Sequence, residues 1–221
     1  MSLKKRSIAV TILIFILCVV MVAGIYILVK NNTKSKSAIS ENVDQNLIEN
    51  FKNTETGASP TTLLYASQEY AIIYDRPGLL VYDLQKEKVI QTLNLASINM
   101  NDTQGDNFAS IQISDNGDTI YLQNENAGLN YEYNVKNSKL TKVKKIDVDN
   151  ISTFSNDIYY FSDKGTPDSK QLKSLLPLSE MIKIGPDKWV YLNKDKEDDT
   201  FSSLKIIVWT EKNVKEYPLF K

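Results

Sequence analysis

The chain contains no histidine and a single cysteine, and these two gaps exclude most of the chemistry that sequences advertise. Without imidazole there is no Ser-His-Asp or Cys-His nucleophile system. Zinc would then need several thiolates, and the one thiol, Cys18, sits in an apolar run near the N-terminus. The rest of the chain has no disulfide, and a domain of about 160 residues buries enough surface to fold without one. Glycine is scarce, at 8 residues scattered singly, so no phosphate-cradling loop is present. Charge of one sign is missing too. The formal net charge is −1, and without Lys4, Lys5 and Arg6 it is about −4, which argues against a polyanion-binding surface and a nucleic-acid partner.

What is present begins with a long apolar run, residues 7–29, reading SIAVTILIFILCVVMVAGIYILV. As a helix it reaches about 34 Å, enough to cross the hydrocarbon layer of a membrane. A cleaved signal peptide competes for the same segment. Val22-Ala23-Gly24 is a weak cleavage candidate, and the apolar run continues past it through Val29. Lipid attachment at Cys18 is disfavoured by the bulky Leu17 before it. The expectation is an uncleaved single-pass anchor. Basic residues nearly tie across the run, with Lys4, Lys5 and Arg6 facing Lys30, Lys34 and Lys36. Large C-terminal domains are translocated largely regardless of charge, so the short tail 1–6 is expected inside and the body outside the cytoplasm.

Residues 30–60 are rich in Asn, Ser, Thr, Lys and Glu with few large apolar side chains, which reads as a flexible tether. A short amphipathic helix over 43–51 is the alternative, since Val43, Leu47 and Phe51 recur at every fourth position.

From Thr61 onward, short β-branched and aromatic runs alternate with turn signals, the pattern of consecutive antiparallel strands. Strands are expected at 63–66, 70–74, 79–84 and 89–95, at 110–113, 119–123, 129–134 and 140–148, and less regularly at 158–162, 189–193, 204–210 and 214–217. The Asn116-Gly117 pair is able to take the positive φ of a tight hairpin.

The strands repeat at about 50 residues, the range expected when one unit is one four-stranded sheet. Gly78-Leu79, Val81-Tyr82-Asp83-Leu84 and Lys88-Val89 match Gly128-Leu129, Glu132-Tyr133-Asn134-Val135 and Lys139-Leu140. The fold class expected for 61–221 is therefore all-β, an antiparallel meander of about three propeller-blade-like units. A closed propeller typically needs four to eight blades, so the ring is open or incomplete. Leu172, Leu175 and Leu176 fall at helical spacing, and 167–185 is expected to supply a helix packed on the core or covering a sheet edge.

Acidic side chains are the remaining source of chemistry. Asp195, Glu197, Asp198 and Asp199 cluster between strands, where a solvated hairpin tip outweighs a calcium site because the spacing of the calcium loop is missing. Asp102, Gln104 and Asp106 lie in a polar loop that a rigid sheet could present to a ligand. Twelve tyrosines lie mostly in the sheet region, Tyr74, Tyr82, Tyr121 and Tyr131 among them. The contact residues selected are Asp102, Gln104, Asp106, Tyr131 and Tyr133. No catalytic, cofactor-binding or metal-ligating residue is assigned. Trp189 and Trp209 are expected to anchor the core.

Tyr65-Ala66-Ser67, Ala71-Ile72-Ile73-Tyr74-Asp75, Gly78-Leu79-Leu80-Val81-Tyr82-Asp83-Leu84, Thr103-Gln104-Gly105-Asp106-Asn107 and Ser114 to Leu122 carry a resemblance. This region resembles the propeller-like extracytoplasmic domain of some Gram-positive membrane proteins, including C-terminal extensions of β-lactam-sensor-type metallopeptidases. The resemblance covers residues 63–122 well and the last hundred loosely. It implies a bacterial surface location and a sensory or accessory role. It brings no peptidase activity, since the zinc motif of that family needs two histidines. The expected function is a non-catalytic, membrane-anchored sensor or binding module with another envelope protein as partner. A carboxylate-dependent hydrolase of envelope glycan or peptide is the alternative, and needs two acids facing one cleft.

Overall fold

Sheet 1 is built from strands whose sequences do not alternate, and that explains its place in the molecule. The computed structural model describes residues 39–55, 61–101, 109–155, 175–177, 181–195 and 197–220. Sheet 1 is a meander of β1 (Thr62–Ala66), β2 (Tyr70–Asp75), β3 (Gly78–Asp83) and β4 (Lys88–Asn94), paired in that order. Every residue of β2, and all of β3 but its last, is buried. A strand apolar on both faces must be covered on both faces.

Sheets 2 and 3 supply the two covers. Sheet 2 is the meander β5 (Ala109–Ile113), β6 (Thr119–Asn124), β7 (Leu129–Asn134) and β8 (Lys139–Lys142). Sheet 3 runs β10 (Ile182–Gly185), β11 (Lys188–Asp195), β12 (Lys205–Thr210) and β13 (Asn213–Pro218), with β9 (Leu175–Pro177) also paired to β11. One core cluster joins Ile72, Leu79, Val81 and Ile90 of sheet 1 to Ala109, Ile113, Ile120, Leu122 and Tyr133 of sheet 2. The opposite face of sheet 1, with Leu63, Ala71, Ile73, Leu80 and Tyr82, packs on Val190, Leu192, Ile206 and Val208 of sheet 3. The layers thus stack in the order 2, 1, 3, and among the described residues the paired strands form three separate sheets and no closed barrel. Phe154 packs against both clusters and meets the Tyr65 ring edge-on with centroids 5.0 Å apart. Its backbone N–H donates to Ile113 O on β5, so it lies where sheets 1 and 2 bring β1 and β5 together.

The two repeated units superimpose chemically as well as in sequence. Asp83 Oδ1 accepts from Gln85 and Lys86 N–H in the β3–β4 turn, and Asn134 Oδ1 accepts from Asn137 N–H in the β7–β8 turn. Glu87 and Ser138 take left-handed φ at matching positions, 55° in both.

Three expectations change. Residues 39–55 are folded where a tether was expected. Residues 39–44 run along β4, and α1 (Gln45–Lys52) follows, capped by Asp44 Oδ1 accepting from Asn46 and Leu47 N–H. Its Leu47 and Phe51 are fully buried in the sheet 1–sheet 3 core. Two large apolar residues on one side of a polar helix suffice, although average composition hides them. Leu175 and Leu176 lie in strand β9, not in a helix. Pro177 removes a donor and disfavours the α conformation of the residue before it, and proline is tolerated where the strand only edges β11. β8 stops at Lys142, and a 3-10 turn occupies Val148–Asn150.

The expected anchor 7–29 and the expected strand 158–162 lie outside the described residues. Among the described residues no helix is long and apolar enough to cross a membrane.

Candidate functional site

Among the described residues, sheet 2 carries a face that its own strands leave polar. β6 alternates strictly, with Ile120, Leu122 and Asn124 buried and Thr119, Tyr121 and Gln123 turned the other way. Register then fixes the rest of the free face. Gln112 sits opposite Tyr121, Tyr121 opposite Glu132, and Glu132 opposite Thr141, a row crossing all four strands. A second row runs Ser110, Gln123, Asn130. Strand neighbours at this spacing stand about 5 Å apart, so amides, hydroxyls, one carboxylate and one phenol form a continuous lattice of donors and acceptors.

Two details show unused hydrogen-bonding capacity on this face. Asn130 Nδ2 donates to Lys144 O at 3.3 Å, while Asn130 Oδ1 is buried and has no partner among the described residues. A depression of about 300 Å³ is lined by Ser110 and Gln123 from the second row and by Glu125 and Asn126 from the β6–β7 turn. Partial burial, and then the nearby Glu132 carboxylate, raise the Tyr121 phenol above its ordinary pKa, so it stays a neutral donor.

Of the contact residues selected from sequence, Asp102, Gln104 and Asp106 lie outside the described residues. Tyr131 and Tyr133 are on the core side of sheet 2. Tyr133 is 2% exposed and its hydroxyl donates to Gln91 Oε1 at 3.0 Å. Tyr131 packs half-buried against the same cluster, under Lys142 at 6.0 Å from the ring centroid. Both are corrected from surface contacts to packing residues. The tyrosine that faces outward is Tyr121, which the alternation with Ile120 and Leu122 marks.

Several of the described carboxylates are occupied in structural roles. Asp198 Oδ1 accepts from Thr200 N–H and Oγ1, both at 2.9 Å, and its Oδ2 accepts from Ser202 Oγ and Ser203 N–H, both at 2.8 Å. Burial opposes its charge, but these donors outweigh it and hold its pKa well below the usual carboxylate range. Asp195 pairs with Lys205, Asp118 with Lys136, and Asp115 accepts from Ser152 Oγ. Asp75 is buried and accepts from Thr61 Oγ1 at 2.6 Å. Among the described residues no group of three or more acids is placed to hold a metal ion. Elsewhere, a groove of about 180 Å³ lies between α1, the start of β4 and Leu219-Phe220.

No protein-family model matches the chain, and no curated protein is similar enough to count as a relative.

Proposed function

We propose that the chain is a non-catalytic, membrane-anchored extracytoplasmic binding or sensor module that presents the polar face of sheet 2 to a ligand or protein of the cell envelope. The observation that carries this reading is the row Gln112, Tyr121, Glu132, Thr141 with the adjoining Ser110, Gln123, Asn130. It is a patterned polar surface on a sheet whose other face is core. The absence of histidine, and of any thiol outside the apolar run, supports binding over turnover. The apolar run 7–29 supports the anchor, and an open propeller-like arc is the fold description that accompanies it. Stacked four-stranded meanders with matching turns favour that description.

The test is site-specific photo-crosslinking of the full chain in its own cells, with the probe at Gln112 or Gln123 and a control probe at Glu211 in the β12–β13 turn. An adduct of defined mass from 112 and 123, absent from 211 and lost in Tyr121→Ala, is expected. Equal labelling at all three positions would sink the reading. Protease added to intact cells should cut the body of the chain if it lies outside the membrane.

A further inference from the structure

Residues 39–55 touch all three sheets in succession. Ser40 N–H donates to Lys136 O in the β7–β8 turn at 3.0 Å, and Ser40 Oγ lies 2.8 Å from Ser138 Oγ in the same turn. Asn42 then runs parallel to β4, its N–H donating to Ile90 O at 2.8 Å and its carbonyl accepting from Thr92 N–H at 2.9 Å. Asp44 N–H donates to Thr92 Oγ1 at 2.8 Å. Leu47 and Phe51 enter the sheet 1–sheet 3 core, and Glu55 bridges Thr200 ahead of β12.

Gln91 is the junction of this path. It is fully buried on β4, beside a register shift that turns it toward sheet 2. Its Nε2 donates to Ser40 O at 2.7 Å and to Val135 O at 2.6 Å, while its Oε1 accepts from Tyr133 at 3.0 Å. All three hydrogen-bonding groups of one amide are thus divided between the segment 39–44 and sheet 2. A buried amide that loses one partner retains the full desolvation cost of that group, so the two attachments support one another.

We propose that residues 39–44 form a strap that clamps sheet 2 onto sheet 1 through Gln91, so that peeling the strap from β4 loosens sheet 2 while sheet 3 keeps its hold. The strap directly follows residue 38, and any pull or ordering applied to the chain before Ile39 reaches β4 and the β7–β8 turn first. Glu41 reinforces it at the surface, pairing with Lys86 and Lys88 at 2.9 and 2.8 Å. The coupling belongs to the fold and stands whether or not the free face of sheet 2 binds anything. Coupling between two sites is reciprocal, so loosening sheet 2 must also loosen the strap.

The experiment is amide hydrogen exchange on the full chain in detergent micelles, comparing wild type with Asn42→Pro and Tyr133→Phe. Asn42→Pro deletes the donor to Ile90 while keeping an extended backbone. It should speed exchange of strap amides and of β7–β8 amides by about tenfold or more, with β11 and β12 unchanged. Tyr133→Phe, made from the sheet 2 side, should speed the Asn42 and Asp44 amides several-fold. Unchanged β7–β8 exchange in Asn42→Pro, or unchanged strap exchange in Tyr133→Phe, overturns the clamp. Equal acceleration of β11 and β12 overturns it as well, because it reports general destabilisation.

Discussion

Replacing Phe51 by Ala tests whether residues 39–55 belong to the folded domain. An isolated eight-residue helix is not stable in water, so α1 exists because Leu47 and Phe51 are packed, and its stability is theirs. Phe51 is fully buried among side chains of sheets 1 and 3, and the Leu47 side chain closes on Gly78 at the start of β3. Truncating such a residue costs about 3–5 kcal/mol, and Leu47→Ala about 2–5 kcal/mol. With a urea dependence of about 2 kcal/mol per molar, Phe51→Ala should lower the unfolding midpoint by about 1.5–2.5 M. Both tryptophans, Trp189 and Trp209, lie in sheet 3, which shares a core with α1, so their fluorescence reports the transition in a fragment beginning at residue 39. Were this segment a solvated tether, both substitutions would change stability by no more than about 0.5 kcal/mol. A midpoint shift that small would refute the packing argument.

Gly78→Ala should be as damaging as a core truncation, because a Cβ there would run into the Leu93 carbonyl and sit 3.0 Å from Leu47 Cδ2; thermal unfolding measures it. Gly117→Ala should also destabilise, since φ is +75° and the added methyl meets the Tyr65 ring. Tyr121→Ala should leave the unfolding free energy within about 0.5 kcal/mol of wild type while abolishing the crosslink from sheet 2, separating binding from folding. Asp198 is held below its unfolded pKa of about 3.9, so between the two values the unfolded chain binds more protons. Its contribution is complete above about pH 4 and declines as pH falls. The stability gap between wild type and Asp198→Asn should therefore close on acidification in denaturation series, and a gap independent of pH would contradict the assignment.

Strand positions in sheets 1 and 2 were legible because each run of β-branched and aromatic residues is short and bounded by Asx or glycine turns, whereas β9 and β10 fell in the segment expected as a helix. The Asp83 and Asn134 turns even betrayed the repeat. The difference in covering between sheets 1 and 2 was present in the same residues in a subtler form. Ala71-Ile72-Ile73-Tyr74 and Leu79-Leu80-Val81-Tyr82 do not alternate, which marks a sheet covered twice. Thr119-Ile120-Tyr121-Leu122-Gln123 does alternate, which marks one covered once. The error at Tyr131 and Tyr133 came from weighing tyrosines by type, when their phase relative to Ile120 through the β6–β7 register decides the face. Gln91 was invisible because its meaning depends on three partners distant in sequence.

The free face of sheet 2 can be derived from the packing order. The chain makes sheet 1, then sheet 2, then sheet 3, yet sheet 1 lies in the middle, so the third sheet returns to the far side of the first. A stack that continued beyond sheet 2 would need apolar side chains at 112, 121 and 132, as sheet 1 has on both faces. Gln112, Tyr121 and Glu132 there end it, much as terminal repeats of stacked proteins carry a polar outer surface. Solubility alone would be served by charges, which edge strands of this chain do carry at Lys142 and Lys215. Beside the single carboxylate of Glu132, the two rows of the free face hold amides, hydroxyls and a phenol, with Asn130 Oδ1 buried and without a partner among the described residues. Uncharged groups that can each donate and accept are suited to a polar partner whose hydrogen bonds replace those of water. Substituting Ser110 and Thr141 with Lys, with the photo-probe kept at Gln112 or Gln123, separates the two roles: a purely solubilising face stays soluble with its labelling unchanged, and a recognition face stays soluble but loses its crosslink.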